Sequence, residues 1–153
     1  MTHRQTHHFV MRHMNEIDSM ARVLAHYFPT PAEAITGIYE LLVNAIEHGN
    51  LGIGYAAKTD LIYRGAWQDE VARRSAAPEF ADKKVDIDVT FDNNECQMII
   101  CDQGQGFPWQ TFEAQTSQDW RPNGRGLWIA RHSPFDLNFN PAGNQVTCTA
   151  RNA

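Results

Sequence analysis

The stretch from Glu40 to Asn50 predicts a helix with two chemically different faces, and it constrains the fold more than any other part of the chain. Successive residues of an α-helix turn by about 100°, so apolar and polar side chains fall on opposite sides. The apolar set is Ile35, Ile38, Leu42, Ala45 and Ile46, and the polar set is Glu40, Asn44, Glu47 and His48. A carboxylate, an amide and an imidazole on one face indicate either a solvated surface or a binding site.

The flanking residues predict where this helix begins and ends. Thr30 is the expected N-cap, Pro31 the first helical residue, and Glu33 completes a capping box. We expect the helix to continue to about His48 and Gly49 to provide its C-terminal stop.

Alternating apolar and polar residues elsewhere predict strands that bury one face. Before the long helix, a strand is predicted over 8–12 and a helix over 15–28, with Asn15 as its cap. After it, short helices are predicted over 61–64 and 67–74, separated at Gly65. A hairpin of strands 85–91 and 97–102, a helix over 126–132 and a second hairpin of strands 136–140 and 145–151 complete the predicted elements. This order predicts an α/β (α+β) two-layer sandwich, whose mixed, mostly antiparallel sheet has helices on one face. We expect one domain over 1–153, with 51–82 as an insertion that packs on it and ends at Pro78.

Composition excludes several classes of function. The chain has 153 residues and a formal charge of −5, from 13 basic and 18 acidic residues, which argues against a nucleic-acid-binding face. No apolar run reaches about 18 residues and no secretory signal is visible, so we expect no membrane span. The three cysteines are Cys96, Cys101 and Cys148. Their odd number and their place in strand-like runs predict buried thiols in a cytoplasmic protein.

A first glycine motif, residues 102–107, follows the second strand of the first hairpin. Asp and Gly are common turn residues, so a structural turn is one interpretation. In the other, the Asp102 carboxylate at the end of a buried strand accepts a hydrogen bond from an adenine amino group. Gly104 and Gly106 would then let the backbone lie close to the base.

A second glycine motif, residues 123–129, opens the predicted helix over 126–132. Backbone N–H groups at a helix N-terminus favour an anion such as phosphate, and Arg125 adds a cation there. The alternative is a helix start that uses glycine for flexibility. The motif is neither a P-loop nor a dinucleotide fingerprint, because no Lys-Ser or Lys-Thr follows the glycines and no parallel strand precedes them.

Together, the order and spacing of the three motifs resemble the ATP-binding (Bergerat) fold of the GHKL superfamily. The chain resembles most the anti-sigma-factor type of serine kinase, a histidine-kinase-like ATPase. It is also similar to the ATPase modules found beside bacterial response-regulator domains. The resemblance covers about residues 9–151 and implies ATP and Mg²⁺ as cofactors.

The resemblance also implies a role for each motif residue. Glu40 corresponds to the general base, Asn44 to the magnesium ligand and Asp102 to the adenine-binding aspartate. Residues 110–123 correspond to the lid over the phosphates. Asn144, in the last motif of the family, stands where the family often has Thr. The remaining implied nucleotide-binding residues are His48, Gly104, Gly106, Gly124, Arg125, Gly126 and Leu127.

The implied activity is ATP-dependent phosphorylation of serine or threonine in a small anti-sigma-factor antagonist. That antagonist, a sigma factor or both are the implied protein partners, and a homodimer is left open. An alternative is an ATP-binding module that sequesters a partner with little turnover, or the output domain of a response regulator. A third reading keeps the fold without nucleotide binding. Several large side chains either pack or form a partner surface, namely Trp67, Arg73, Arg74, Trp109 and Trp120.

Overall fold

The computed structural model describes residues 3–110 and 125–152, except for the side chain of Arg125. The strands are β1 (Gln5–Met11), β2 (Val85–Phe91), β3 (Glu95–Cys101), β4 (Asp136–Phe139) and β5 (Gln145–Arg151). The helices are α1 (Ile17–Ala25), α2 (Pro31–Asn44), α3 (Tyr55–Tyr63), α4 (Trp67–Ala76), α5 (Pro78–Ala81) and α6 (Arg125–Arg131). Met14–Glu16 forms a 3₁₀ turn, and Ala45–Asn50 extends α2 as a π-helical segment.

The strands form one sheet in the order β1-β2-β3-β5-β4. All four pairings within the described residues are antiparallel, so no parallel pair of the expected mixed sheet is present there. The register aligns one row of apolar side chains across all five strands, consisting of Phe9, Ile87, Ile100, Val146 and Phe139. Both predicted hairpins are therefore confirmed.

The core lies between one face of the sheet and the helices. Val85, Ile87 and Val89 are fully buried, whereas the intervening Asp86 and Asp88 are partly exposed. Helix α2 packs beside α1 and α6, and its apolar side chains belong to the same cluster as those of the sheet. The predicted two-layer α+β sandwich is confirmed. Within the described residues, no helix has the length and apolar character needed to cross a membrane.

The predicted termini of α2 are partly wrong. Pro31 is the first helical residue as expected, but the Thr30 side chain makes no capping hydrogen bond. The Thr30 carbonyl instead accepts a hydrogen bond from the backbone N–H of Glu33 at 3.0 Å, so backbone groups satisfy the first turn. Gly49 does not stop the helix, because the π-helical segment continues through it to Asn50.

The first helical region also begins and ends differently from the prediction. His13 precedes the 3₁₀ turn, and the Glu16 carboxylate accepts hydrogen bonds from the backbone N–H groups of Arg12 and His13. Asn15 is therefore inside the turn and is not the cap. Helix α1 ends at Ala25, and a turn that places Phe28 in the core follows it.

The segment 51–82 folds as α3, α4 and α5 and packs against the rest of the molecule. Leu61 is buried, and Trp67 packs on the central core. The Arg74 guanidinium donates a hydrogen bond to the Leu51 carbonyl at 2.8 Å. Trp67 and Arg74 thus have packing roles. Pro78 begins α5 and does not end the segment, since proline suits the first turn of a helix.

Candidate functional site

The first glycine motif and the end of the long helix meet at Asp102. A Cβ placed on Gly49 would lie 2.6 and 2.7 Å from the two carboxylate oxygens of Asp102. A Cβ placed on Gly104 would overlap with the Gly49 carbonyl. The absence of side chains at these two glycines therefore lets the π-helical segment and the loop after β3 touch.

The Asp102 carboxylate is half-buried and only partly satisfied by the protein. The backbone N–H of Gly104 donates to Oδ1 at 2.8 Å. Among the described residues, no donor reaches Oδ2. Burial raises the pKa of this carboxyl to about 6, against the opposing effects of the Gly104 hydrogen bond and the Lys83 charge. The site thus offers one carboxylate oxygen to a ligand donor.

A cavity beside Asp102 brings together five of the predicted residues, Asn44, His48, Asp102, Gly106 and Asn144. Its apolar lining comes from both layers of the fold: Leu41, Ala45, Ile100, Phe107, Phe139 and Val146. The cavity shares lining residues with an open cleft of about 510 Å³, which Gly104 also lines. The cavity at Asp102 itself has a volume of only about 20 Å³. Space of the size typical of small-molecule sites, roughly 300–1,000 Å³, lies in the adjoining cleft, which Asn44, Asp102 and Asn144 do not line.

Asn144 lines the cavity, but its amide is already engaged with the surrounding loops. Its Nδ2 donates to the Gly104 carbonyl at 3.2 Å, and its Oδ1 accepts from Asn140 Nδ2 at 2.6 Å. Gly106 and Gly143 both have a positive φ, 89° and 87°, at the point where these loops meet. Asn144 therefore connects the first glycine motif to the turn before β5.

Helix α3 covers the C-terminal end of the polar face, at Asn44, Glu47 and His48. Glu47 is 3% exposed, and its Oε2 accepts a hydrogen bond from Lys58 Nζ at 2.5 Å. The Tyr55 hydroxyl donates to Asn44 Oδ1 at 3.3 Å, and the Tyr55 ring stacks on His48 with centroids 3.7 Å apart. The interpretation of this face as a solvated surface is therefore wrong.

His48 is held as a neutral imidazole. Its Nδ1 lies 2.5 Å from the Ile53 carbonyl, which can only accept, so Nδ1 carries the proton. Burial lowers the pKa of this side chain to about 4. His48 therefore presents an uncharged ring to the cavity at neutral pH.

Glu40 lies at the start of the polar face and contacts the second glycine motif. A Cβ placed on Gly126 would collide with Oε2 of Glu40, so a larger residue there would force the Glu40 side chain to move. Burial raises the pKa of Glu40, and the positive charge of Lys58 opposes this effect. Leu127 is 1% exposed and packs inside the molecule. Glu40 and the beginning of α6 are therefore adjacent.

Several other residues with predicted roles lie outside the described residues. They are Gly124, Trp120 and nearly all of the expected lid over 110–123. Arg125 begins α6. Trp109 is described, and its ring stacks on Phe139 with centroids 5.7 Å apart, which is a packing role.

Sequence reasoning missed Tyr55 and Lys58, the two α3 residues that contact the polar face. Neither belongs to a motif, and α3 shows no apolar stripe that would have revealed which of its sides faces the domain. Gly52 and Gly54 just before α3 were the only local signal of a change in chain direction.

The described residues form no self-contained metal centre. In the described ranges, no three His, Cys, Asp or Glu side chains are grouped so that they could hold a metal ion. Asn44 offers a single amide oxygen, and its buried Nδ2 has no hydrogen-bond partner among those residues. Magnesium often takes its other oxygen ligands from phosphates and water, so Asn44 fits this role only together with a nucleotide.

Comparison with known proteins yields no assignment: no protein-family model matches the sequence, and no curated protein is significantly similar to it. The residues of the site are therefore the basis for a functional proposal.

Proposed function

We propose that this chain binds ATP with Mg²⁺ and transfers its terminal phosphate to serine or threonine in a protein partner, as an anti-sigma-factor type of kinase. The contact of Gly49, Asp102 and Gly104 supports this proposal most directly. It joins the helix motif and the first glycine motif around one cavity that has a carboxylate oxygen available.

The chemistry of that cavity supports recognition of adenine. The available Oδ2 of Asp102 can accept a hydrogen bond from the exocyclic amino group of adenine, and a charged acceptor strengthens such a bond. Apolar side chains from both layers, among them Leu41, Ile100 and Val146, would contact the faces of the base. The neutral His48 ring adds no charge that would compete for Asp102.

The phosphate end would lie toward Glu40, Asn44 and the start of α6. Asn44 would hold Mg²⁺, which supplies charge neutralisation at the phosphates. Glu40 is the candidate general base. The substrate hydroxyl oxygen would form a bond to the γ-phosphorus as the bond to the β–γ bridging oxygen breaks, ADP would leave, and the hydroxyl proton would pass to Glu40. A carboxyl pKa raised by burial makes Glu40 a stronger base than an exposed glutamate.

The proposed partners are a small anti-sigma-factor antagonist as substrate, a sigma factor, or both, in the cytoplasm. A second candidate is a nucleotide-binding module with little turnover. It is favoured by one observation: the Tyr55 hydroxyl occupies Asn44 Oδ1, the atom that would ligate Mg²⁺.

Calorimetric titration with ATP, with and without Mg²⁺, tests the nucleotide site. We expect saturable binding that Mg²⁺ strengthens. Asp102→Ala should weaken it by about 1.5–3 kcal/mol, the usual contribution of a hydrogen bond to a charged group. Unchanged affinity in this variant would exclude the adenine role of Asp102, and no binding at millimolar ATP would exclude the proposal.

Glu40→Gln separates the two candidate functions. We expect this variant to bind ATP normally but to lose phosphotransfer to a candidate antagonist, since the amide accepts no proton from the hydroxyl. Glu33→Gln, the same change at an exposed position in the first turn of α2, is the matched control. Normal transfer by Glu40→Gln would rule out Glu40 as the base, and absent transfer in the wild type would favour the binding module.

A further inference from the structure

A nearly buried ion pair lies on the covered polar face of α2. Among the described residues, Glu47 is the only charged residue classed as buried. The Lys58 side chain, which pairs with it at 2.5 Å, is itself only 16% exposed. The pair joins α3 to the π-helical segment that follows α2. A mostly buried lysine at a proposed phosphate site requires an explanation.

The ammonium of Lys58 has hydrogen-bonding capacity that the described protein atoms do not use. It carries three N–H donors, and within residues 3–110 and 125–152 only Glu47 accepts one of them. The Trp67 ring lies 4.7 Å away and holds the cation from another side. Two donors therefore remain for acceptors other than the described protein atoms, such as an anion or solvent.

The position of Lys58 relates it to the phosphate end. Its charge acts on Glu40, where it opposes the effect of burial on the pKa. Tyr55, less than one turn earlier on α3, contacts Asn44. Glu40 and Asn44 are the proposed base and magnesium ligand, so the charge of Lys58 acts on the end of the polar face where the phosphates would lie. Without Lys58, Glu40 and Glu47 would present two uncompensated negative charges to a polyphosphate.

Folding stability does not account for this arrangement. Buried ion pairs are often no more stabilising than apolar side chains of similar size, because both charges lose their hydration. An apolar pair would have joined α3 to α2 equally well. A buried cation with unused donors has a clear use where an anion must bind.

We propose that Lys58 is a ligand of the terminal phosphates of the bound nucleotide, positioned by Glu47 and by the Trp67 ring. This inference rests on the proposed function, and it assigns to α3 a binding role in addition to packing.

The test compares ATP with AMP, which share the base and sugar but differ in the terminal phosphates. Affinities for both are measured by calorimetry with Mg²⁺ for the wild type, Glu47→Gln and the double variant Lys58→Met with Glu47→Gln. The double variant is used because Lys58→Met alone would leave the Glu47 charge buried without a partner. Lys84→Met, at a partly exposed lysine, is the control for loss of one positive charge.

We expect the double variant to bind ATP about tenfold or more weakly than Glu47→Gln, the loss of a charge-assisted hydrogen bond, while AMP affinity stays unchanged. The Lys84→Met control should have the same ratio of ATP affinity to AMP affinity as the wild type. If the double variant has the same ratio of ATP affinity to AMP affinity as Glu47→Gln, Lys58 is not a phosphate ligand, although the proposed function stands. If the wild type binds neither nucleotide, the proposed function itself fails.

A measurement on the wild type makes the test independent of whether the double variant folds. Acetylation of Lys58 by an amine-reactive reagent, followed by mass spectrometry, reports whether its ammonium is accessible. We expect ATP to protect Lys58 and AMP to leave it as reactive as in the free protein. Equal reactivity of Lys58 with ATP and AMP, at saturating concentrations, would overturn the assignment.

Discussion

Replacement of Gly49 by alanine should damage the proposed nucleotide site more than the fold. The new Cβ would lie 2.6 and 2.7 Å from the Asp102 carboxylate oxygens, closer than such atoms approach in folded proteins. The carboxylate is the end of a short side chain, so it can rotate away without a shift of the backbone. The expected result is a folded protein in which Asp102, the proposed adenine acceptor, points in the wrong direction.

The size of both effects can be estimated. Overpacking in a closely packed region costs about 1–3 kcal/mol, and replacement of glycine by alanine within a helical segment returns roughly 0.5–1 kcal/mol. The free energy of unfolding should therefore fall by about 0–2.5 kcal/mol. Loss of the hydrogen bond to a charged acceptor should weaken ATP binding by about 1.5–3 kcal/mol, which is roughly 10- to 150-fold in Kd.

Urea unfolding and calorimetric titration with ATP measure the two effects separately. Gly54→Ala is the matched control, because a Cβ there would meet nothing within 4 Å and its φ of −68° suits alanine. That variant should bind ATP like the wild type, and its loss of stability should be only the cost of alanine at the N-cap of α3. A folded Gly49→Ala protein with wild-type affinity would refute the reasoning, since the Asp102 carboxylate would then be free to move without consequence for the ligand.

Two further predictions concern the same loop. Gly104→Ala should lower the free energy of unfolding by about 1–3 kcal/mol in urea, because its Cβ would overlap with the backbone carbonyl of Gly49, which cannot rotate away; a variant as stable as the wild type would contradict this contact. ATP affinity should fall as the pH is lowered through about 6, where Asp102 takes up a proton, and Asp102→Asn should remove this dependence in the same titrations. The folded pKa of Asp102 lies above the unfolded value of about 3.9, so its contribution to stability should decline as pH rises from about 4 to 6, and the unfolding profile of Asp102→Asn should lack that decline.

The sheet was predictable because its signals are local. Val85, Ile87 and Val89 alternate with polar residues, and a single strand carries this pattern regardless of its neighbours. The turns over 92–94 and 141–144 then leave little choice but two antiparallel hairpins. The order in which the hairpins join, with β3 beside β5, is a property of the whole chain and is seen only in the structure.

The covered face of α2 was not predictable in the same way. A helix with a polar side indicates solvent or a site, and nothing within residues 40–50 shows that Tyr55 and Lys58 fold back over it. The π-helical segment has a similar origin. Gly49 resembles a helix stop in sequence, but the helix continues through it, and Asp102, 53 residues later in the chain, occupies the space beside it.

The glycines explain why the motifs carry more information together than singly. At each of three glycines, another group occupies the space that a side chain would fill. The Asp102 carboxylate lies beside Gly49, the Gly49 carbonyl beside Gly104, and the Glu40 carboxylate beside Gly126. Each glycine of one motif therefore accommodates a group from another. A turn that needs glycine only for its backbone conformation would not need contact with a group far away in the sequence. The three motifs are therefore in contact with one another in the fold, which no single motif could have shown.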